Sequence, residues 1–420
     1  MGSTLAEKIM AAHAGVRRAS PGDLLTCKVD KIMATDVTAP LSIEVFRRMG
    51  ATRVADPKAC ILVNDHFVPA KDILSADLSK TMRAFAREQG IRAYFEVGRS
   101  GICHALLPEK GLVRPGEILV GADSHTCTAG ALGCFATGVG STELAAAWAL
   151  GEMWFRVPET LRIEVTGTFA PHVTSKDLIL YLLGELGVEG ARYAAVEFGG
   201  EAVDAMPMHA RLTLCNMAIE AGAKAGMIAA DAVTLAYLAE RGVAALDAPQ
   251  PDEDASYSRV IRVDLGRLGL MVAEPHLPSQ VRPAEAFRDV KVDQVFIGSC
   301  TNGFLEDLDA AAAILKGRHV ASSVRLIVTP ATQDIYLQAI QRGILETLVA
   351  SGAAVTTPTC GACLGGHNGV LGRDEVALAT TSRNFRGRMG DTSSRVYLGN
   401  PAVAAATAIM GRIARPEDLP

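Results

Sequence analysis

Three cysteines in this sequence have the spacing of a metal site. Cys360-Gly361-Ala362-Cys363 is a C-x-x-C pair in a glycine-rich turn, and Cys300 stands 60 positions earlier, directly after the apolar run Val295-Phe296-Ile297. In open α/β sheets the residues just past a strand's carboxyl end line the ligand crevice, so a third thiolate can converge on the pair. A thioredoxin-like redox pair would need the motif at a helix start, with no further ligand. A zinc site would take four ligands, with His367 completing C-x-x-C-x-x-x-H. An iron–sulfur cluster on three cysteines would leave one iron open for chemistry. Cys300 as a plainly buried thiol is the remaining reading. Spacing alone leaves zinc, cluster and burial open.

The other six cysteines, Cys27, Cys60, Cys103, Cys127, Cys134 and Cys215, have no comparable pairing and are read as structural. Cys103 and Cys127 flank histidines and are expected near the site without being ligands. Nine cysteines is an odd number, which argues against a disulfide framework in a long chain. Arg383 and Arg388 fit a substrate with two or more carboxylates, because guanidinium binds carboxylate bidentately. A solvated basic loop is the competing reading of that cluster. Gly138-Val139-Gly140-Ser141-Thr142 has the glycines of a phosphate loop but lacks its lysine, and reads as a turn that starts a helix.

Short β-rich runs alternate with Ala-rich helical stretches and must position these groups. Ile118–Val120, Leu161–Thr166, Val295–Ile297 and Arg325–Thr329 read as strands, and Glu143–Trp154 as a helix. Strands separated by helices imply βαβ units and largely parallel sheets. Thr4 and Glu7 match a helix capping box. Boundaries are read near Val157-Pro158-Glu159 and in the polar stretch Glu274–Arg288, giving α/β units at 1–160, 161–285 and 286–420. The 420 residues are 49% hydrophobic and 21% charged, as in a globular protein. A net charge of −5 argues against a general polyanion binder, so no nucleic acid is expected. No apolar run is long enough to span a bilayer and no signal pattern opens the chain, so no membrane partner and a cytoplasmic location are expected.

Gly298-Ser299-Cys300-Thr301-Asn302 with Cys360-Gly361-Ala362-Cys363 resembles the cluster-ligand signature of the aconitase family. Asp123-Ser124-His125-Thr126 resembles that family's D-S-H-T segment, and Ser382-Arg383-Asn384-Phe385-Arg386-Gly387-Arg388 its R-N-F-x-G-R segment. The resemblance runs over nearly the whole chain. It implies three α/β/α domains with mainly parallel sheets around a central cleft. It also implies a [4Fe–4S] cluster on Cys300, Cys360 and Cys363 with one open iron. Asp65-His66 resembles the family's D-H pair, with His66 as proton donor to the leaving hydroxyl. His104 takes the place of a histidine partnered by Asp123. His125 takes the place of one partnered by a glutamate, which matches Glu220. Asn216 and Glu220, four apart, are expected on one helix face. Asn216, Arg383 and Arg388 are the substrate-binding positions.

Two departures weigh against citrate as substrate. Thr35 stands where aconitases carry glutamine, and Ser382 where they carry asparagine. The resemblance also implies a catalytic serine in a G-S-S-R-E segment on a swivelling domain. Ser393-Ser394-Arg395 imitates that segment but follows the R-N-F-x-G-R motif too closely. A small subunit carrying the swivelling domain and the serine is therefore expected as partner. The expected reaction moves a hydroxyl between adjacent carbons of a small di- or tricarboxylic hydroxy acid. 2-Isopropylmalate, an acid of leucine synthesis, is favoured over homocitrate-type and dimethylmalate-type acids. A zinc-stapled, non-catalytic protein and an RNA-binding one are the rivals from other classes.

Overall fold

A computed structural model describes residues 2–244 and 247–420. Its first large sheet holds five strands in the order Ala93–Phe95, Cys60–Val63, Lys31–Thr35, Ile118–Gly121, Phe135–Gly138. Every neighbouring pair in it is parallel. The chain builds from Lys31–Thr35 toward one edge, then returns to build toward the other. The order therefore reverses between Lys31–Thr35 and Ile118–Gly121, and such a reversal opens a crevice at the strands' carboxyl ends.

The seven-stranded sheet repeats this plan. Gln294–Ile297 is its first parallel strand, Arg325–Val328 and Ala354–Val355 lie on one side, and Val376–Ala379 and Arg395–Leu398 lie on the other. Met271–Ala273 and Val281–Pro283 extend it in antiparallel fashion. Its reversal falls between Gln294–Ile297 and Val376–Ala379. A third, four-stranded sheet is parallel throughout, in the order Ala225–Ile228, Ala195–Gly199, Thr160–Thr166, Arg259–Asp264. The mainly parallel α/β architecture expected from the alternation is the one found.

Local signals explain the element ends. Thr4 and Glu7 form the expected capping box at Leu5–Ala14: Glu7 N–H donates to Thr4 Oγ1 and Thr4 N–H to Glu7 Oε2, at 3.4 and 2.9 Å. Asp72 caps Ile73–Gln89, and Gly90 closes it in the left-handed region. The helix expected over Glu143–Trp154 is shorter and earlier, Ser141–Leu150. Gly151 ends it at φ 72°, and Glu152–Arg156 turns into a strand paired antiparallel with Leu24–Lys28.

Small side chains do much of the packing. In the helix Pro401–Met410 five alanines are almost fully buried, and it lies close against Gln294–Ile297 and the helix Leu305–Leu315. Beneath the first sheet, Phe46, Phe85 and Trp148 meet at ring separations of 5.1–6.4 Å. Such ring pairs add about 0.5–1.5 kcal/mol each beyond the area they bury. No helix among the described residues is long and apolar enough to cross a membrane.

Candidate active site

Both order reversals deliver polar side chains. Past the first sheet's strands come Asp36, the Asn64-Asp65-His66 turn and the Asp123-Ser124-His125 turn. Past the seven-stranded sheet come Gly298-Ser299-Cys300, the Thr380–Arg383 loop and the turn with Cys360 and Cys363. The two sets meet. Cys360 N–H donates to Asp65 O at 2.7 Å, and Thr359 Oγ1 to the same carbonyl at 3.1 Å.

Each of the three histidines expected to act on protons, His66, His104 and His125, has a carboxylate. His66 Nδ1 lies 2.7 Å from Asp65 Oδ1, and its Nε2 lies 3.6 Å from Asp123 Oδ2. His104 Nε2 lies 2.7 Å from Asp123 Oδ1. His125 Nε2 lies 2.8 Å from Glu220 Oε1, and its Nδ1 3.7 Å from Asp123 Oδ1. Asp123 thus stands among three imidazoles. Burial alone would pull His66 toward neutrality, but Asp65, Asp123 and Asp36 outweigh it and push its pKa well above the usual histidine range. His125 is raised likewise, burial being outweighed by Asp123 and Glu220. Asp123 is held well below the carboxylate range: burial works against this, and the three histidines prevail.

Asn216 and Glu220 both face the site but do not share one helix. Met208–Met217 is α-helical, and Ala218–Ala221 tightens to a 3₁₀ turn before Gly222 at φ 83°. The tightening brings Glu220 to His125 and to Arg383, whose Nε donates to both carboxylate oxygens at 2.8 and 3.0 Å. Asn216 Nδ2 donates to Cys300 Sγ at 3.1 Å and to Thr128 Oγ1 at 2.8 Å.

Cys300, Cys360 and Cys363 are buried and form no disulfide. Donors face two of the sulfurs. Arg388 Nη2 lies 3.8 Å from Cys363 Sγ and Ser299 Oγ donates to Cys300 Sγ at 3.8 Å, while Cys363 Sγ donates to Ser299 Oγ at 3.9 Å. A hydrogen bond from Cys360, with Arg388 beside it, holds the Cys363 thiol well below its usual range against the pull of burial. Burial raises Cys300 to about 12. Buried polar atoms are normally paired. Asn216 Oδ1, Ser382 Oγ and Arg388 Nε are buried here without a partner. Sulfurs faced by Asn216 and Arg388, each of which also carries an unpaired buried polar atom, fit a bound thiolate-held group. His367 does not complete a zinc set through Nε2: this atom lies 3.1 Å from His66 O, a pure acceptor, so it carries the proton there.

Three residues escaped the sequence reading. Asp36 receives the backbone N–H groups of Asp65, His66 and Phe67 at 3.0, 2.9 and 2.8 Å, and so sets the turn that aims His66. Its place directly after a strand is the signal that could have found it. Ser299 is fully buried at φ 84°, a left-handed backbone that costs of order 1–3 kcal/mol and turns the chain toward Cys300. Lys176 is buried beneath the Thr380–Arg383 loop. Conversely, Ser393 and Ser394 are tied into their own turn. Ser393 Oγ donates to Asp391 Oδ1 at 2.8 Å and Ser394 Oγ to Asp391 O at 2.6 Å.

A comparison with family models matches residues 7–289 and 279–411 to the aconitase family (aconitate hydratase). The chain belongs to the aconitase family. It is 55% identical over 419 residues to a protein of Moorella thermoacetica named 3-isopropylmalate dehydratase large subunit, and 54% identical to one of Thermodesulfovibrio yellowstonii with the same name. In both cases the match covers 100% of each chain. A Pyrococcus furiosus protein named 3-isopropylmalate dehydratase large subunit 1 is 52% identical over 420 residues, 100% of this chain and 99% of its own. Among solved structures, holo-form aconitase X of Thermococcus kodakaraensis matches with a TM-score of 0.52 at 14% identity, over 88% of this chain and 89% of the other. That likeness speaks for the fold alone.

Proposed function

We propose that this chain works as the large subunit of a 3-isopropylmalate dehydratase, a hydro-lyase that moves a hydroxyl between adjacent carbons of 2-isopropylmalate during leucine synthesis. The observation that carries the reading is the meeting of three histidine–carboxylate pairs with Arg383 and a buried cysteine trio, in a chain more than half identical to proteins of that name. Cys300, Cys360 and Cys363 would hold a [4Fe–4S] cluster with one open iron. When bound, it would supply a Lewis acid for the substrate's hydroxyl and carboxylate oxygens.

The chain's own groups would do the rest. Asp65 takes the Nδ1 proton of His66 in a hydrogen bond, so the other nitrogen is the one turned outward, toward Asp123. His66, held as imidazolium, gives its proton to the departing hydroxyl, which leaves as water. Asp123, with His104 and His125 as partners, stabilises the charged ring before that transfer. Arg383 uses Nε on Glu220, leaving its terminal nitrogens for a substrate carboxylate. Arg388 and Asn216 line the sulfur side. The carbon-bound proton needs a base, and Ser393 and Ser394 are occupied in their own turn. A small subunit with a swivelling domain and a catalytic serine would bring it. We also read the three sheets as three units. The pairing of Met271–Ala273 with Arg395–Leu398 favours a second boundary before residue 271 rather than at 285. The cytoplasm is the expected compartment.

The test is anaerobic reconstitution with a small subunit, followed by assays on 2-isopropylmalate, homocitrate-type and dimethylmalate-type acids. Turnover of 2-isopropylmalate that needs both chains is expected. Full activity of the iron-loaded chain alone would overturn the partner. Preference for another acid would overturn the substrate.

A further inference from the structure

Lys176 is the second residue of the helix Ser175–Leu186. Helix N-termini favour anions, so a cation there needs another reason. It is fully buried, and its ammonium donates to Thr380 O at 2.8 Å and Thr381 O at 2.7 Å. No ion pair within 4.0 Å reaches it among the described residues. The acidic groups that act on it across the packing are Asp307 and Asp177. Both are committed to hydrogen bonds elsewhere, Asp307 to Asn302 and Phe304, Asp177 to Thr174, Met271 and Asn400.

A buried charge without its counter-charge is strongly unfavourable. Burial draws this lysine down to about 8, with Asp307, the cysteines and Asp177 pulling the other way. The missing negative charge has a place to come from. Thr380 O also accepts Thr301 Oγ1 at 2.9 Å, so the ammonium is one carbonyl away from the neighbour of Cys300. Cys300 and Cys363 are among the groups whose charge acts on it. Three thiolates outweigh the positive charge of an iron–sulfur core, so the loaded trio is anionic.

We propose that Lys176 is the built-in counter-cation of the anionic group on Cys300, Cys360 and Cys363. It is a positioning residue, acting through space and through the Thr380–Thr381 carbonyls. The inference rests on the cluster reading. Lys176→Gln tests it, because the amide keeps two N–H donors for the two carbonyls and removes only the charge. The wild-type chain is first loaded anaerobically and its iron and sulfide counted. Loaded Lys176→Gln is expected to show a lower cluster midpoint potential and about 10-fold faster loss of iron to a chelator. Its cluster-free form should melt at or above wild type, since the uncompensated ammonium is gone, and Lys176→Arg should restore the potential. Wild-type potential and iron retention in loaded Lys176→Gln would overturn the inference and leave the cluster reading intact. Failure of the cluster-free variant to fold would also overturn it, assigning the ammonium to folding. A wild-type chain that takes up no iron and sulfide would break the cluster reading and this inference with it.

Discussion

The nine cysteines fall into two groups that burial does not distinguish. All nine are buried. In four of the six structural cysteines the S–H is a donor to a backbone carbonyl: Cys27 faces Met10 O, Cys60 Asp56 O, Cys127 Asn216 O and Cys134 Ala129 O. In the trio donors also point at sulfur: Asn216 and Ser299 aim theirs at Cys300 and Arg388 at Cys363, while Cys363 Sγ itself donates to Ser299 Oγ. A sulfur that donates is a thiol with a weak hydrogen bond. One that accepts is prepared for negative charge. N–H donors aimed at sulfur set Cys300 and Cys363 apart from the others where exposure cannot.

That contrast can be broken most severely at Cys363. Cys363→Ala is expected to abolish iron and sulfide retention and to lower activity of the two-subunit complex by more than about 10²-fold. Retained cluster in an active variant would erase the distinction. Arg388→Met probes the donor rather than the sulfur. It should weaken cluster retention roughly 10–100-fold, read by chelator challenge. Asp65→Asn tests whether the histidine side is tuned independently of the sulfurs. Asp65 helps raise His66. An acid with a raised pKa stays protonated to higher pH, so losing the carboxylate should move the alkaline limb of kcat/KM to lower pH while iron content stays unchanged. A limb that does not move would remove His66 from the proton step. The smallest effect is expected at Cys134→Ala, a loss of about 1 kcal/mol in a denaturant melt with full iron content. Loss of iron there would merge the two groups.

The sequence carried the strands before Cys300 and the D-S-H-T turn because short apolar runs ending in polar residues are a local signal. It also carried the pairing of His125 with Glu220, 95 residues away, through motif resemblance. It could not carry Asp36, whose role is to receive three backbone N–H groups of another turn, or Lys176, whose acceptors lie 204 and 205 residues away. Those are tertiary contacts with no periodic trace. The overlong helix at Glu143–Trp154 has a different cause. Alanine-rich periodicity runs up to Gly151, and one left-handed glycine outweighs it.

The Thr359–Asp65 contact joins residues 294 apart. At ribosomal speeds of about 5–20 residues per second, Asp65 waits roughly 15–60 s for its partner to be made. During that interval Cys300 can already be folded onto its strand while Cys360 and Cys363 do not yet exist. The nascent chain therefore holds Cys300 as an unshared thiol until Cys360 and Cys363 are made, and a group held by all three sulfurs cannot be assembled before that point.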